Sequence, residues 1–269
     1  MEDIDAYRIF QISSAILSIA VLVDTLNFFF KKELYHDKYG LFSYDKLILD
    51  RRKNLQVIFT KFPYLFKYKP YYRMMLVRLA CCFFLLFFVS AHWSIFLVLF
   101  ACQLIFNVRN VYCLSGADQM QNILLFGFLI FSMGLGDSIS LLTFYFITIQ
   151  MLFSYFFTGY HKMKARKWRN GTALLLVLNS ETFGNQKVVH FLHSNKKIAV
   201  FFCWAIMLTQ VSFIVSFFVF PAGVLFYLSI LFLFHLSIAF LMHLNHFFWV
   251  YVAGFPIVYY TFNQAWKFL

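Results

Sequence analysis

The sequence predicts an all-α polytopic membrane protein: a helix bundle of about eight transmembrane helices with an interfacial segment and a short re-entrant hairpin. Three observations carry this. Hydrophobic residues make up 62% of the chain, mean hydropathy is +0.74 and 13% of residues are charged, whereas soluble domains run at about 45–50% apolar and about 25% charged. The apolar residues, including 40 Phe, gather into runs close to the roughly 20 residues that a helix needs to cross a bilayer. The basic residues segregate between alternate connections.

The expected spans, in order, are Ile9–Phe30, Met74–Ser90, Trp93–Val108, Gln119–Leu135, Ile139–Thr158, Ile198–Phe220, Ala222–His243 and Phe247–Phe262. The start, Met1 to Tyr7, is acidic and no small-residue cleavage site follows the first run, so that run is expected to stay in the protein. Gly134-Leu-Gly136 reads as the turn between the fourth and fifth spans, and Phe220-Pro221-Ala-Gly223 as the turn between the sixth and seventh. Between the first two spans, Asn54–Tyr72 alternates aromatics with Lys61, Lys67 and Lys69 and carries Pro63 and Pro70. That pattern suits a segment lying on lipid headgroups. Thr172–Leu178 is apolar but too short to span, and is expected to re-enter the membrane and cover a site. No repeat, linker or second domain is evident, so residues 1–269 read as one membrane domain.

The net charge of +12 is distributed by side. Apart from Arg8 and Lys267, the Lys and Arg residues fall in residues 31–73, with Arg78 counted beside them, in the Arg109–Asp118 loop and in residues 159–197. The positive-inside rule then places those loops in the cytoplasm and both termini outside. A charge excess sorted this way points to the lipid bilayer as partner and not to nucleic acid. Cys81, Cys82, Cys102 and Cys203 lie within apolar runs and Cys113 near the end of one; there is no Cys-x-x-Cys, so they read as small hydrophobes and not as a disulfide or zinc framework.

Polar groups inside apolar spans are costly, and each is a site candidate. Asp24 lies within the first span and is expected to face a His or Lys of the bundle, or to lie near the interface. Gln103, Asn107, Arg109 and Asn110 cluster at the end of the third. Asp118 follows Ser115-Gly116 at the start of the fourth, where a helix cap and a site are alternative readings. His235 sits in mid-span within Phe232-Leu-Phe-His-Leu-Ser. His243 and His246 keep a metal-compatible spacing but have no acidic or thiol neighbour, so no metal is expected. Glu181 is the only acidic residue after Asp137, which argues against paired-carboxylate chemistry.

The most pointed stretch is Tyr155-Phe-Phe-Thr-Gly159-Tyr-His161-Lys162, followed by Trp168-Arg-Asn170-Gly171-Thr172. Gly159 permits close approach of a helix or ligand. Trp168 suits an interfacial anchor and Asn170-Gly171 a tight turn. An amine at the mouth of an apolar helix can snorkel to the headgroups, or it can serve as a base, because burial disfavours its charged form. Both readings stand at Lys162.

Three blocks resemble the HTTM family, the membrane domain related to vitamin K-dependent gamma-carboxylase. The first is Arg109-Asn110-Val-Tyr-Cys-Leu-Ser115-Gly116-Ala-Asp118-Gln119; the second is the Tyr155–Ala173 stretch; the third is Met242-His-Leu-Asn245-His-Phe247-Phe248-Trp249 with Phe255-Pro256. The likeness extends over most of the chain and is nearest to the sporulation-delaying-protein B subgroup. It implies a protein of the bacterial cytoplasmic membrane that helps to mature or modify an exported peptide, with a secreted peptide precursor and a small partner protein as partners. It further implies Lys162 as base on a reduced quinone or other lipid, beside His161 and His235, with Asn110, Asp118, Tyr155, Gly159, Trp168, Asn170, Asn245 and Trp249 binding substrate or cofactor. His161 departs from the carboxylase, which has a lysine at that place. The carboxylase's large extramembrane domain is expected to be absent, and its lysine works from the lumenal face, opposite to the side that the charge pattern assigns to Lys162. The residues alone leave two other classes open: a non-enzymatic immunity, chaperone or scaffold protein, and a small-molecule transporter.

Overall fold

The computed structural model describes residues 5–49, 53–87, 92–180, 184–219 and 223–267. Among these residues all regular structure is helical. Eight helices of 17 residues or more follow the eight expected apolar segments in order. Five are long and apolar enough to cross a membrane, and a sixth apolar helix is shorter. The protein is an all-α polytopic integral membrane protein. The expected turn at 220–222 and Glu181 lie outside the described residues.

The chain forms two compact units. One is Leu17–Ser140; the other combines the chain up to Ile16 with the chain from Leu141 onward. Helix α1 (Ala6–Phe30) contributes to both.

The Leu17–Ser140 unit continues from α1 through a 3-10 turn at Lys32–Tyr35 and three short helices, α2 (Tyr44–Leu47), α3 (Lys53–Lys61) and α4 (Pro63–Phe66). Of these, α3 and α4 fall on Asn54–Tyr72, the segment expected to lie on lipid headgroups, and give it helical form. Helix α5 (Tyr68–Phe87) starts upstream of the expected span because Pro70 falls in its first turn, where a missing N–H costs nothing. Helices α6 (Trp93–Arg109) and α7 (Gly116–Ser132) complete the unit. Phe28, Tyr35, Tyr71, Met75 and Phe106 form one core, and Tyr44, Leu47, Phe59 and Phe66 another.

Between these helices runs a buried polar network. Arg78 is wholly buried in α5, not part of the preceding connection as the charge count had it. Its Nη2 donates to Asp24 Oδ2 at 2.9 Å and to Gln103 Oε1, and its guanidinium lies 4.8 Å from the Phe106 ring centroid. Gln121 Nε2 donates to Gln103 Oε1 at 2.5 Å, and Gln103 Nε2 to Asn107 Oδ1 at 2.9 Å. The network thus joins α1, α5, α6 and α7 through groups that would be costly unpaired. Arg109, also wholly buried, donates to the Tyr35 and Phe42 carbonyls at 2.6 and 3.3 Å, which ties the connection after α1 to the end of α6. Burial, and secondarily Asp24, push the Tyr35 phenol well above its ordinary pKa, so it stays a donor, 2.7 Å from Asn110 Oδ1.

The second unit holds α8 (Asp137–Lys164, its first residues in the other unit), the short helices α9 (Arg166–Arg169), α10 (Thr172–Leu178) and α11 (Gln186–Ser194), and the long helices α12 (Lys196–Val219), α13 (Val224–Met242) and α14 (Asn245–Lys267). The preceding turn has Gly134 and Gly136 at φ +64° and +109°, as a glycine turn requires. Gly254 of α14 faces Met151 of α8 so closely that a Cβ would overlap its sulfur. Thr148 and Thr261 hydrogen-bond at 3.0 Å between the same two helices.

Candidate functional site

Helix α8 does not end at Thr158 but runs on to Lys164, so Lys162 sits in its last turn. A cation there is favoured by the helix dipole. Residues 155, 159 and 162 share one face by helical spacing. Gly159 shapes that face. A Cβ there would lie 2.8 Å from Val211 Cγ2, 2.9 Å from Gln210 Cβ and 3.1 Å from the Met207 carbonyl oxygen. The missing side chain therefore lets α12 approach, and with it Gln210, which is 3% exposed.

Lys162 Nζ donates to Gln210 Oε1 at 3.2 Å. It lies 4.7 Å from the Trp168 ring centroid and 5.7 Å from that of Phe234. Four elements, α8, α9, α12 and α13, thus surround one amine with a neutral amide and two aromatic faces. Among the described residues no carboxylate lies within ion-pair distance of it. A snorkelling lysine extends its ammonium toward water; this one turns back onto rings.

Two turns earlier on α8, Tyr155 Oη and His235 Nε2 are 2.7 Å apart, both residues buried. The imidazole stacks on Tyr251 at 4.5 Å and 16°, and Tyr251 Oη pairs with Ser154 Oγ at 2.8 Å. Phe213 meets Tyr155 edge-on at 5.5 Å. Among the described residues, His235 Nδ1 has no hydrogen-bond partner. His235 follows Phe234, so α13 presents one residue to the lysine and the next to the tyrosine.

The Trp-x-Asn-Gly-Thr segment folds as its residue types suggest. Asn170 Oδ1 accepts from Thr172 N at 3.1 Å. Gly171 takes φ +78°, and a Cβ there would be 2.9 Å from Val200 N. Trp204 Nε1 donates to the Arg169 carbonyl at 3.2 Å. These contacts fix α9 on α12 and hold Trp168 over the amine. Beyond the turn, α10 and α11 form a hairpin whose Leu178 and Leu192 pack with Ala199 of α12.

No family model, curated protein or solved structure matches the chain.

Of the residues expected at the site, the structure brings Lys162, Gly159 and Trp168 together around one amine, and Tyr155 to His235. His161 is exposed, its ring against Tyr160 and about 100° around the helix from Lys162. Asn170 is exposed and acts through the turn. Asn245 is exposed at the first position of α14, and Trp249 is half-buried with its ring against Phe248. Asn110 and Asp118 belong to the Leu17–Ser140 unit. Asn110 is held by Tyr35, Tyr71 and the Phe106 carbonyl. Asp118 forms a capping box with Ser115, accepting from its backbone N at 2.7 Å and its Oγ at 2.6 Å, which is the cap reading. Sequence reasoning missed Gln210 and Phe234. The signal for Gln210 was present: it is the sole amide in the apolar run Ile198–Phe220. Phe234 is one of 40 Phe and carries no such mark.

Proposed function

We propose that the protein is an HTTM-type integral membrane protein that takes part in maturing or modifying an exported peptide, and that Lys162 is its base. The observation that supports this best is the setting of the lysine: Nζ is 3.2 Å from a neutral amide oxygen and between two aromatic faces, with no carboxylate to hold it permanently charged among the described residues. In such a setting the neutral and charged amine are closer in free energy than in water. That is what a base requires.

A lipid-soluble acid suits these residues, since flat apolar rings lie beside a lone amine. A reduced quinone, or another lipid of that kind, would supply an ionisable hydroxyl; Lys162, Gln210 and Trp168 would hold it. Lys162 Nζ takes up a proton. Gln210 Oε1 accepts a hydrogen bond from the resulting ammonium and keeps Nζ in place. Trp168 and Phe234 stabilise the new charge through their ring faces. Tyr155 and His235, braced by Tyr251, hold α8 against α13.

The test is complementation of a strain lacking the gene, with exported peptides compared by mass spectrometry. Lys162→Arg keeps a cation but does not give up its proton. It is expected to reach the membrane at the wild-type level and fail to restore the processed peptide, while Lys164→Arg restores it. Restoration by Lys162→Arg would leave Lys162 as an anchor and favour the scaffold class.

A further inference from the structure

We infer that the Leu17–Ser140 unit carries a binding site for the phosphate of an anionic lipid headgroup, at the start of α5. A cavity of about 270 Å³ is lined there by Lys32, Tyr68, Lys69, Tyr72 and Arg73. Lys32 comes from the turn after α1; the other four come from the first turns of α5. Lys69 and Arg73 are four residues apart, as are Tyr68 and Tyr72, so two adjacent rows of the helix supply a pair each.

The tyrosine wall is fixed from behind. Tyr72 meets Phe29 edge-on at 5.4 Å and lies tilted against Tyr68 at 6.0 Å, Tyr68 lies against His36 at 5.6 Å, and the Tyr68 backbone N donates to Asp37 Oδ1 at 2.7 Å. The cations, in contrast, are exposed, and among the described residues none of the three lies within ion-pair distance of a carboxylate. Three like charges around one concavity repel one another and are best neutralised by an anion. Phosphate oxygens match a guanidinium fork and two ammonium groups, and tyrosine hydroxyls add donors.

The position selects a lipid as the source of that phosphate. The cavity opens where a helix long and apolar enough to cross the membrane begins. The segment of short helices before it exposes Val57 and Tyr64 as well as Lys61 and Lys67, the pattern of a segment at headgroup depth.

The experiment compares melting of the purified full chain in detergent with added phosphatidylglycerol, phosphatidylcholine or inorganic phosphate. Phosphatidylglycerol is expected to raise the wild-type midpoint by several degrees and phosphatidylcholine by little. The rise should vanish in the triple variant Lys32→Gln, Lys69→Gln, Arg73→Gln. It should persist in a control with the same loss of charge at exposed lysines of the other unit, Lys187→Gln, Lys196→Gln, Lys197→Gln. A rise kept in the first variant, or lost equally in both, overturns the site. Equal stabilisation by inorganic phosphate overturns the lipid assignment. Should the triple variant not fold, Arg73→Gln alone is scored by phosphatidylglycerol retained after purification: less than wild type supports the site, and an equal amount overturns it.

Discussion

At the scale of single residues, the candidate site depends on what is left out as much as on what is present. Gly159 lacks the atom that would push Gln210 away, and the described carboxylates are all elsewhere, so the partners of Lys162 are an amide and two rings. The Tyr155–His235 contact is the neighbouring element of this arrangement that can be probed without touching the amine. Tyr155→Phe keeps the ring packing against Phe213 and Tyr251 but strips the buried imidazole of its 2.7 Å partner. A buried polar group so deprived costs about 1–3 kcal/mol, so a lower melting temperature of the purified protein is expected, with membrane insertion unchanged; an unchanged midpoint would mean that the pair contributes nothing to holding α13. Lys162 and His235 were legible in the sequence because ionisable groups are rare in apolar runs. Phe234 was not, since only the third dimension separates one phenylalanine from the rest.

At the scale of elements, type and order were legible and boundaries were not. The runs gave eight helices in the right order, but hydropathy stops at the first charged residue, whereas a helix stops where its backbone bonding fails. Helix α8 continues through His161 and Lys162 to Lys164, and α5 begins at Tyr68 because Pro70 is harmless in a first turn. The turn before α10 was readable from Asn170-Gly171, and its docking can be tested. Gly171 combines φ +78° with backbone at 2.9 Å from the place of a Cβ. The left-handed conformation alone costs an L-residue roughly 1–2 kcal/mol, and the contact with Val200 adds to it. Gly171→Ala is therefore expected to loosen α9 and α10 from α12, with faster proteolytic cleavage in residues 165–195; wild-type cleavage rates would mean that α12 yields instead. In the other unit, the ion pair of α1 and α5 offers a parallel test. Arg78→Met leaves Asp24 without its cation. Removing one partner of a buried pair costs on the order of 3 kcal/mol, and the cost here should fall somewhat short of that because Asp24 keeps 13% of its side chain exposed. Adding Asp24→Leu should recover most of the lost melting temperature.

At the scale of the whole molecule, the remaining question is which way the chain faces, and charge and resemblance disagree. If each of the eight long helices crosses once, the connections after α1, α6 and α8 share one side with that between α13 and α14, and the others share the opposite side. The first set contains all the Lys and Arg outside the eight long helices, including Lys38, Lys61, Lys67 and Lys187, while the α7–α8 turn, Met133 to Gly136, has none. Moving such a set of cations across the bilayer is opposed during insertion, so the basic side is expected in the cytoplasm, with Lys162 near that face. Resemblance to the carboxylase would put the lysine on the opposite face. Impermeant thiol reagents on intact cells decide between the two. In a Cys113→Ser background, chosen because Cys113 is the exposed native thiol, Leu135→Cys is expected to be labelled from outside and Lys187→Cys to be shielded until the membrane is permeabilised. Leu135 is 55% exposed and Lys187 lies on an exposed position of α11, so packing does not hide either thiol. Labelling of Lys187→Cys alone in intact cells would reverse the orientation. It would place the Lys162 amine at the outer face.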